Sequence, residues 1–460
     1  MKFPIKFNKY TGSFLALGLI LWDTKGMFYS GIPVGLIGIT ILFLYWMYKL
    51  FIGKKDTEDL TENFEPTVIF LIAIQAIVLF IGLFKDDYDI LHSDTESRYK
   101  YLLQGSVIVF SIGTAFLIYQ YLSKKNIIKT LIGLIAIAMV IEILSIFCST
   151  KPGIDVFVML QNACDYLVNF KNPYDARYAD MYNGNFVKYY GSINYMTYWP
   201  SCVYAGSVFY SILGDYRYAY ILVSTILLFA LYRYRISAGL SKERSLLFIL
   251  LWVSSPVLAF TINRGWIDIF TTLPFFLFAY FLSTRKLFLS AIFLGLTISF
   301  KLYYLLLTPL VFLYLIQHFD WKKTVQFIVI GGGVFLLTIL PSLVINAAQF
   351  YQSTVAYYGV MKLARPDSLS WVSYLTRFDM KLVSAGTYFS LAVIGLLYLR
   401  FLFSEKTLLH LIEFSGTVLL IFFLCARQAF CNYYFFVLFL YYLGIYFAAQ
   451  QKHRSGNDAA

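Results

Sequence analysis

Apolar runs recur from one end of the chain to the other, parted by short polar segments. They fall near 10–22, 32–52, 67–84, 101–122, 127–148, 216–234, 246–262, 266–283, 286–301, 302–318, 324–345, 382–403, 408–426 and 429–449. A helix needs about 20 apolar residues to cross a bilayer, so the pattern predicts an all-α bundle of roughly 13–14 transmembrane spans. The first run and the pair around Lys301 are short and read as tilted or partly re-entrant. The stretch 199–213 is apolar enough for another pass. Counting it as one would place Arg233–Arg244 on the opposite side from the other basic loops, so it reads as re-entrant or interfacial.

The loops orient the bundle. Lys54/Lys55, Lys124/Lys125, Arg233/Arg235/Lys242/Arg244, Arg285/Lys286, Lys322/Lys323 and Lys452/Arg454 alternate to one side, which the positive-inside rule makes the cytoplasm. The other side receives acid-rich 85–100, the long loop 149–199, Asn263–Asp268, the loop 346–381 and Arg427–Asn432. Loops of such length are usually functional. The N-terminal Lys2, Lys6 and Lys9 precede an apolar run as in a signal peptide, but no small-residue cleavage site follows, so the run reads as a retained first helix.

Composition sharpens this picture. Hydrophobic residues make up 60% of the 460 and charged residues 13%, with a mean hydropathy of +0.69. A soluble domain carries about 25% charged residues. The net charge of +12 sits mostly in short loops, so it reports topology and argues against nucleic-acid binding. Five cysteines form no CxxC or Cys/His cluster, and buried free thiols are the plainer expectation. His92, His318, His410 and His453 are scattered, and Asp155 and Asp165 stand too far apart for a DxD motif, so no cofactor or metal site is expected.

The polar residues that could carry chemistry lie at junctions on the outer side. Asp155 follows an emerging helix and precedes the amphipathic stretch Val156–Val168. There it could take a proton from a hydroxyl at the bilayer surface, or simply cap the next helix. In Asn263-Arg264-Gly265-Trp266-Ile267-Asp268, Arg264 and Asp268 are either site residues or an ion pair at helical spacing. Lys301 has long apolar runs on both sides, which fits an anion partner or snorkelling to headgroups. Arg427 and Gln428 interrupt two apolar helices. The loop 346–381 adds Tyr357, Tyr358, Arg365, Asp367, Trp371 and Arg377, suited to sugar faces and phosphate, or to anchoring at the interface.

Several of these segments together resemble the GT-C glycosyltransferases, specifically the polyprenyl-phosphate-mannose-dependent, mannosyltransferase-like group of glycosyltransferase family 87. The segments are DVFVMLQNACDYLVNFKNPYD (155–175), YWPSCVYAGSVFYSILG (198–214), NRGWIDIFTTLPFFL (263–277), LGLTISFKLYYLLLTPL (294–310) and RQAFCNYYFF (427–436). Where such enzymes show Tyr-Pro-Pro, this chain has Tyr198-Trp199-Pro200-Ser201. The resemblance covers 127–449 and implies a GT-C core there, leaving 1–126 as helices of unassigned role and 450–460 as a cytoplasmic tail.

By this resemblance, Asp155 is the catalytic base and Lys301, Arg264 and Arg427 hold the donor phosphate. Asp268, Tyr198, Gln428, Arg365 and Arg377 support or bind substrate. The partners implied are a polyprenyl-phosphate sugar, most often mannose, a lipid or glycan acceptor, and membrane lipids. The setting implied is a bacterial-type cytoplasmic membrane with the site facing outward. The competing expectation is a transporter or flippase of a lipid-linked saccharide, which would favour discontinuous helices, repeats and polar groups near the midplane.

Overall fold

The computed structural model describes residues 5–24, 34–53, 63–83, 99–178, 195–236, 240–356, 364–365, 367–376, 378 and 382–457. The ordered segments are helices. The first five are α1 (Lys9–Thr24), α2 (Val34–Phe51), α3 (Phe64–Gly82), α4 (Lys100–Leu122) and α5 (Ile128–Cys148). Then follow α6 (Asp155–Val168), α7 (Pro200–Leu213), α8 (Tyr218–Arg233), α9 (Lys242–Val253) and α10 (Pro256–Arg264). Next come α11 (Ile269–Ser283), α12 (Leu287–Phe300), a 3-10 segment (Leu302–Leu307), α13 (Thr308–His318) and α14 (Trp321–Tyr351). The last are the short α15 (Trp371–Leu375), α16 (Leu382–Leu402), α17 (Leu408–Leu424) and α18 (Cys431–Asn457).

Among the described residues, seven helices are long and apolar enough to cross a membrane, or nine if each of two bent pairs counts as one span, and further apolar helices are 10–17 residues long. In hydrocarbon every backbone N–H and C=O must be bonded within the protein, which is why the apolar runs become helices. The chain is a multi-pass membrane protein with an all-α bundle.

The bends fall where glycine and proline dictate. Gly214, at φ 76°, ends α7 in the left-handed region open to glycine, and α8 leaves at 112° to it. The stretch read as re-entrant is therefore one arm of a sharp corner. The run 246–262, read as a single span, breaks at Ser254-Ser255, and Pro256 starts α10 at 46° to α9. The amphipathic stretch after Asp155 is α6, and all five cysteines are buried and free.

The N-terminal helices pack against the later ones, with α1 against α18 and α2 against α17. The Trp46 indole lies flat on Tyr441, centroids 5.3 Å apart, while its N–H donates to Ser13 Oγ at 3.0 Å. The buried Glu413 on α17 receives Lys9 Nζ at 2.8 Å and the Tyr10 hydroxyl. Near the other end of the bundle, Trp371 Nε1 donates to Thr40 Oγ1 at 2.7 Å, tying α2 to α15.

Candidate active site

A cavity of about 1150 Å³ opens where α10, α12 and α17 end and where α6, α7 and α18 begin. Asp155, Tyr198, Arg264, Lys301, Arg365, Arg427 and Gln428 all line it. Seven of the candidate residues, drawn from six separate segments, thus share one space. Asp268 sits just behind the wall, and Arg377 lies outside the described residues.

Asp155 is the first residue of α6. Ile154 before it is extended and takes the N-cap position, so Asp155 is not the cap itself. Its Oδ1 accepts the N–H of Val156 at 2.8 Å. The first turn of a helix favours a negative charge, because its unsatisfied N–H groups point that way. The carboxylate is half-buried and faces the cavity from this mount.

Asp268 is wholly buried and saturated. Lys301 Nζ reaches both its oxygens at 2.7 Å, Tyr303 OH donates to Oδ1 at 2.6 Å and Asn432 Nδ2 to Oδ2 at 3.0 Å. The ion pair of Asp268 with Arg264 does not form. Gly265, at φ 74°, ends α10 between them, so the two residues do not share a helix and helical spacing does not apply. Lys301 occupies the extended link between α12 and the 3-10 segment, which frees its side chain to turn inward. Its ammonium lies 4.6 Å from the centre of the Tyr433 ring and 5.0 Å from that of Tyr303. Lys301 does not snorkel, and its charge is met inside the protein.

Arg264, Arg365 and Arg427 supply the remaining positive lining. Arg365 donates from Nε to Asp367 Oδ1 at 2.7 Å and stacks 4.6 Å over the Phe430 ring. Its backbone N–H bonds the Arg427 carbonyl at 3.0 Å, and the Leu369 N–H bonds that of Ala429 at 2.8 Å. This strand-like pairing brings Arg365 and Leu369 onto the α17–α18 junction. Leu302, Leu305, Leu306, Pro309, Tyr398 and Phe422 form an apolar flank of the same cavity.

Sequence reasoning missed Asn432, whose Nδ2 completes the shell of Asp268, and Arg217, a fully buried arginine behind the cavity. The signal for Arg217 was present: Asp215 and Arg217 are charges between apolar helices, as are Arg264 and Asp268. For Asn432 no signal existed, since its role depends on a carboxylate 164 residues away. Among the described residues no group of three or more His, Cys, Asp or Glu gathers to hold a metal ion.

The fold and the cavity together define a polytopic helical membrane protein with an acid and several cations facing a shared space. A protein-family model, glycosyltransferase family 87, matches residues 213–426, and over that stretch the chain is similar to this family. The match supports a membrane glycosyltransferase, with the sugar donor and acceptor such an enzyme requires. No curated protein and no solved structure matches the chain. The matched stretch is narrower than 127–449. It contains Arg264, Asp268, Lys301, Arg365 and Arg377 but leaves Asp155, Tyr198, Arg427 and Gln428 outside. These four are joined to it through the cavity they line with Arg264, Lys301 and Arg365.

Proposed function

We propose that the protein transfers a hexose, most simply mannose, from a polyprenyl-phosphate donor to a lipid-linked or glycan acceptor at the extracytoplasmic face of a cytoplasmic membrane. The observation that carries this reading is the meeting of Asp155 with Arg264, Lys301 and Arg427 around one cavity that also has an apolar flank. The isoprenoid would lie along Leu302, Leu305 and Leu306, and the phosphate would face the arginines. An acceptor hydroxyl would give its proton to Asp155 as its oxygen bonds to the anomeric carbon from the face opposite the phosphate. The bond from that carbon to the phosphate oxygen would break, inverting the centre and leaving both bonding electrons on the phosphate. The developing charge would be met by Arg264 and Arg427, fixed in place before the reaction. Lys301, already neutralised by Asp268, would add one polar contact and little net charge.

The second reading is a transporter of a lipid-linked saccharide, favoured by the two bent helix pairs, 200–213 with 218–233 and 242–253 with 256–264. One experiment separates the two. Purified protein is incubated with labelled polyprenyl-phosphate mannose and a membrane lipid extract, free in detergent and, separately, in sealed liposomes. Label moving covalently onto an acceptor in detergent is the expected result. Label crossing the liposome membrane with no new product would replace the transferase by the transporter.

A further inference from the structure

The corner between α7 and α8 does more than turn the chain. The guanidinium of Arg217 there is fully buried, and Asp215 neutralises it with Nε–O distances of 3.1 Å and an Nη2–Oδ2 distance of 2.6 Å. A buried arginine needs such a counter-ion, and its fork still has donors to spend elsewhere. They go to two carbonyls. Nη1 donates to the Asn263 carbonyl at 2.7 Å, and Nη2 to the Ser149 carbonyl at 2.6 Å. Ser149 opens the loop that leads to Asp155, and Asn263 is the residue before Arg264. The Phe157 ring, on the first turn of α6, covers the guanidinium at 4.7 Å.

Two tyrosines complete the grip. Tyr216 OH and Tyr220 OH both donate to the Gly265 carbonyl, at 2.6 and 2.9 Å. Arg264 is therefore held by the carbonyls on both sides of it. Gly265 is required twice over: its φ of 74° favours glycine, and a Cβ there would collide with the Tyr216 hydroxyl. From the same corner, the Gly214 carbonyl accepts from Gln161 Nε2 of α6 at 2.5 Å.

We infer that Arg217, with Tyr216 and Tyr220, is a positioning group that sets Asp155 and Arg264 relative to one another, so that base and phosphate-binding cation meet the same substrate. The inference rests on the transferase reading above. Arg217 lies outside the cavity lining and acts through the two segments it ties. A lysine at 217 could pair with Asp215 but could not reach both carbonyls with a rigid fork.

The test measures binding of a short isoprenyl phosphate, citronellyl phosphate, to the full detergent-purified chain. It compares wild type, Arg217→Lys, Arg264→Lys and the double variant, with apparent Tm and kcat for transfer recorded for each. If Arg217 acts through Arg264, each single variant weakens binding about tenfold and the double is no weaker than the worse single, the coupling expected of residues in one network. The kcat of Arg217→Lys falls as well, because the mount of Asp155 shifts. Losses that multiply to about a hundredfold, as independent sites would give, overturn the inference. So does an Arg217→Lys protein that binds like wild type. If Arg217→Lys does not fold, Tyr216→Phe with Tyr220→Phe, which leaves the Gly265 carbonyl without either hydroxyl, is read against Arg264→Lys in the same way. Wild type that binds no isoprenyl phosphate overturns the transferase reading and this inference together. Binding with multiplying losses overturns this inference alone.

Discussion

The two ends of α17 border two very different spaces. Its Leu424 end runs into the cavity of about 1150 Å³, and its Leu408 end meets a pocket of about 240 Å³ lined by Arg285 and His318. Both are lined by basic residues, but those residues are held differently. Arg285 lies exposed at a helix end, where water and headgroups solvate it and topology alone accounts for it, while the exposed His318 ring bonds the Lys406 carbonyl. Lys301 is buried against Asp268, and Arg365 is nearly buried against Asp367. A cation on a loop needs no dedicated partner, whereas a cation inside a membrane protein is retained only with one. A carboxylate partner inside the protein, as at Lys301 and Arg365, marks a cation that topology alone does not account for.

Breaking the buried pair tests the contrast most heavily. Lys301→Met leaves Asp268 as an unpaired buried charge, and removing one partner of such a pair costs about 3–5 kcal/mol of stability. Replacing both, with Lys301→Met and Asp268→Leu, should recover much of that loss. Apparent Tm in detergent reads both, and a double variant less stable than Lys301→Met would remove the pair from the account. A smaller effect is expected from Arg427→Ala. Losing a hydrogen bond to a charged group costs roughly 1.5–3 kcal/mol, so the donor KM should rise about 10- to 100-fold with little change in Tm. The smallest effect belongs to the other end of α17. Arg285→Ala with His318→Ala should change stability by no more than about 1.5 kcal/mol, the worth of the bond between His318 and the Lys406 carbonyl. Transfer by that double variant should equal wild type, and a loss as large as that of Arg427→Ala would erase the distinction between the two ends.

Much of the bundle was legible from periodicity, because hydrocarbon permits little besides helices for an apolar run. The outer junctions were legible too, since charges are rare in this chain and Asp155, Arg264, Lys301 and Arg427 each interrupt an apolar run. The partnerships were not. Lys301 and Asp268 stand 33 residues apart, and Asn432 is 164 residues from the carboxylate it binds. Gly265 carried readable information that helical spacing overlooked: a glycine between Arg264 and Asp268 ends the helix that would have paired them. The corner at Gly214 was readable as a break, while the reach of Arg217 to Ser149 and Asn263 depends on how α5, α8 and α10 pack.

The central claim is that Asp155 removes the proton while the arginines hold the phosphate, two separable duties in one cavity. Donor binding and sugar transfer measured side by side on Asp155→Asn test it directly. Loss of a positioned base predicts transfer reduced about 10²- to 10⁴-fold, with citronellyl-phosphate mannose still bound at near wild-type affinity. Transfer at the wild-type rate by Asp155→Asn would contradict the account.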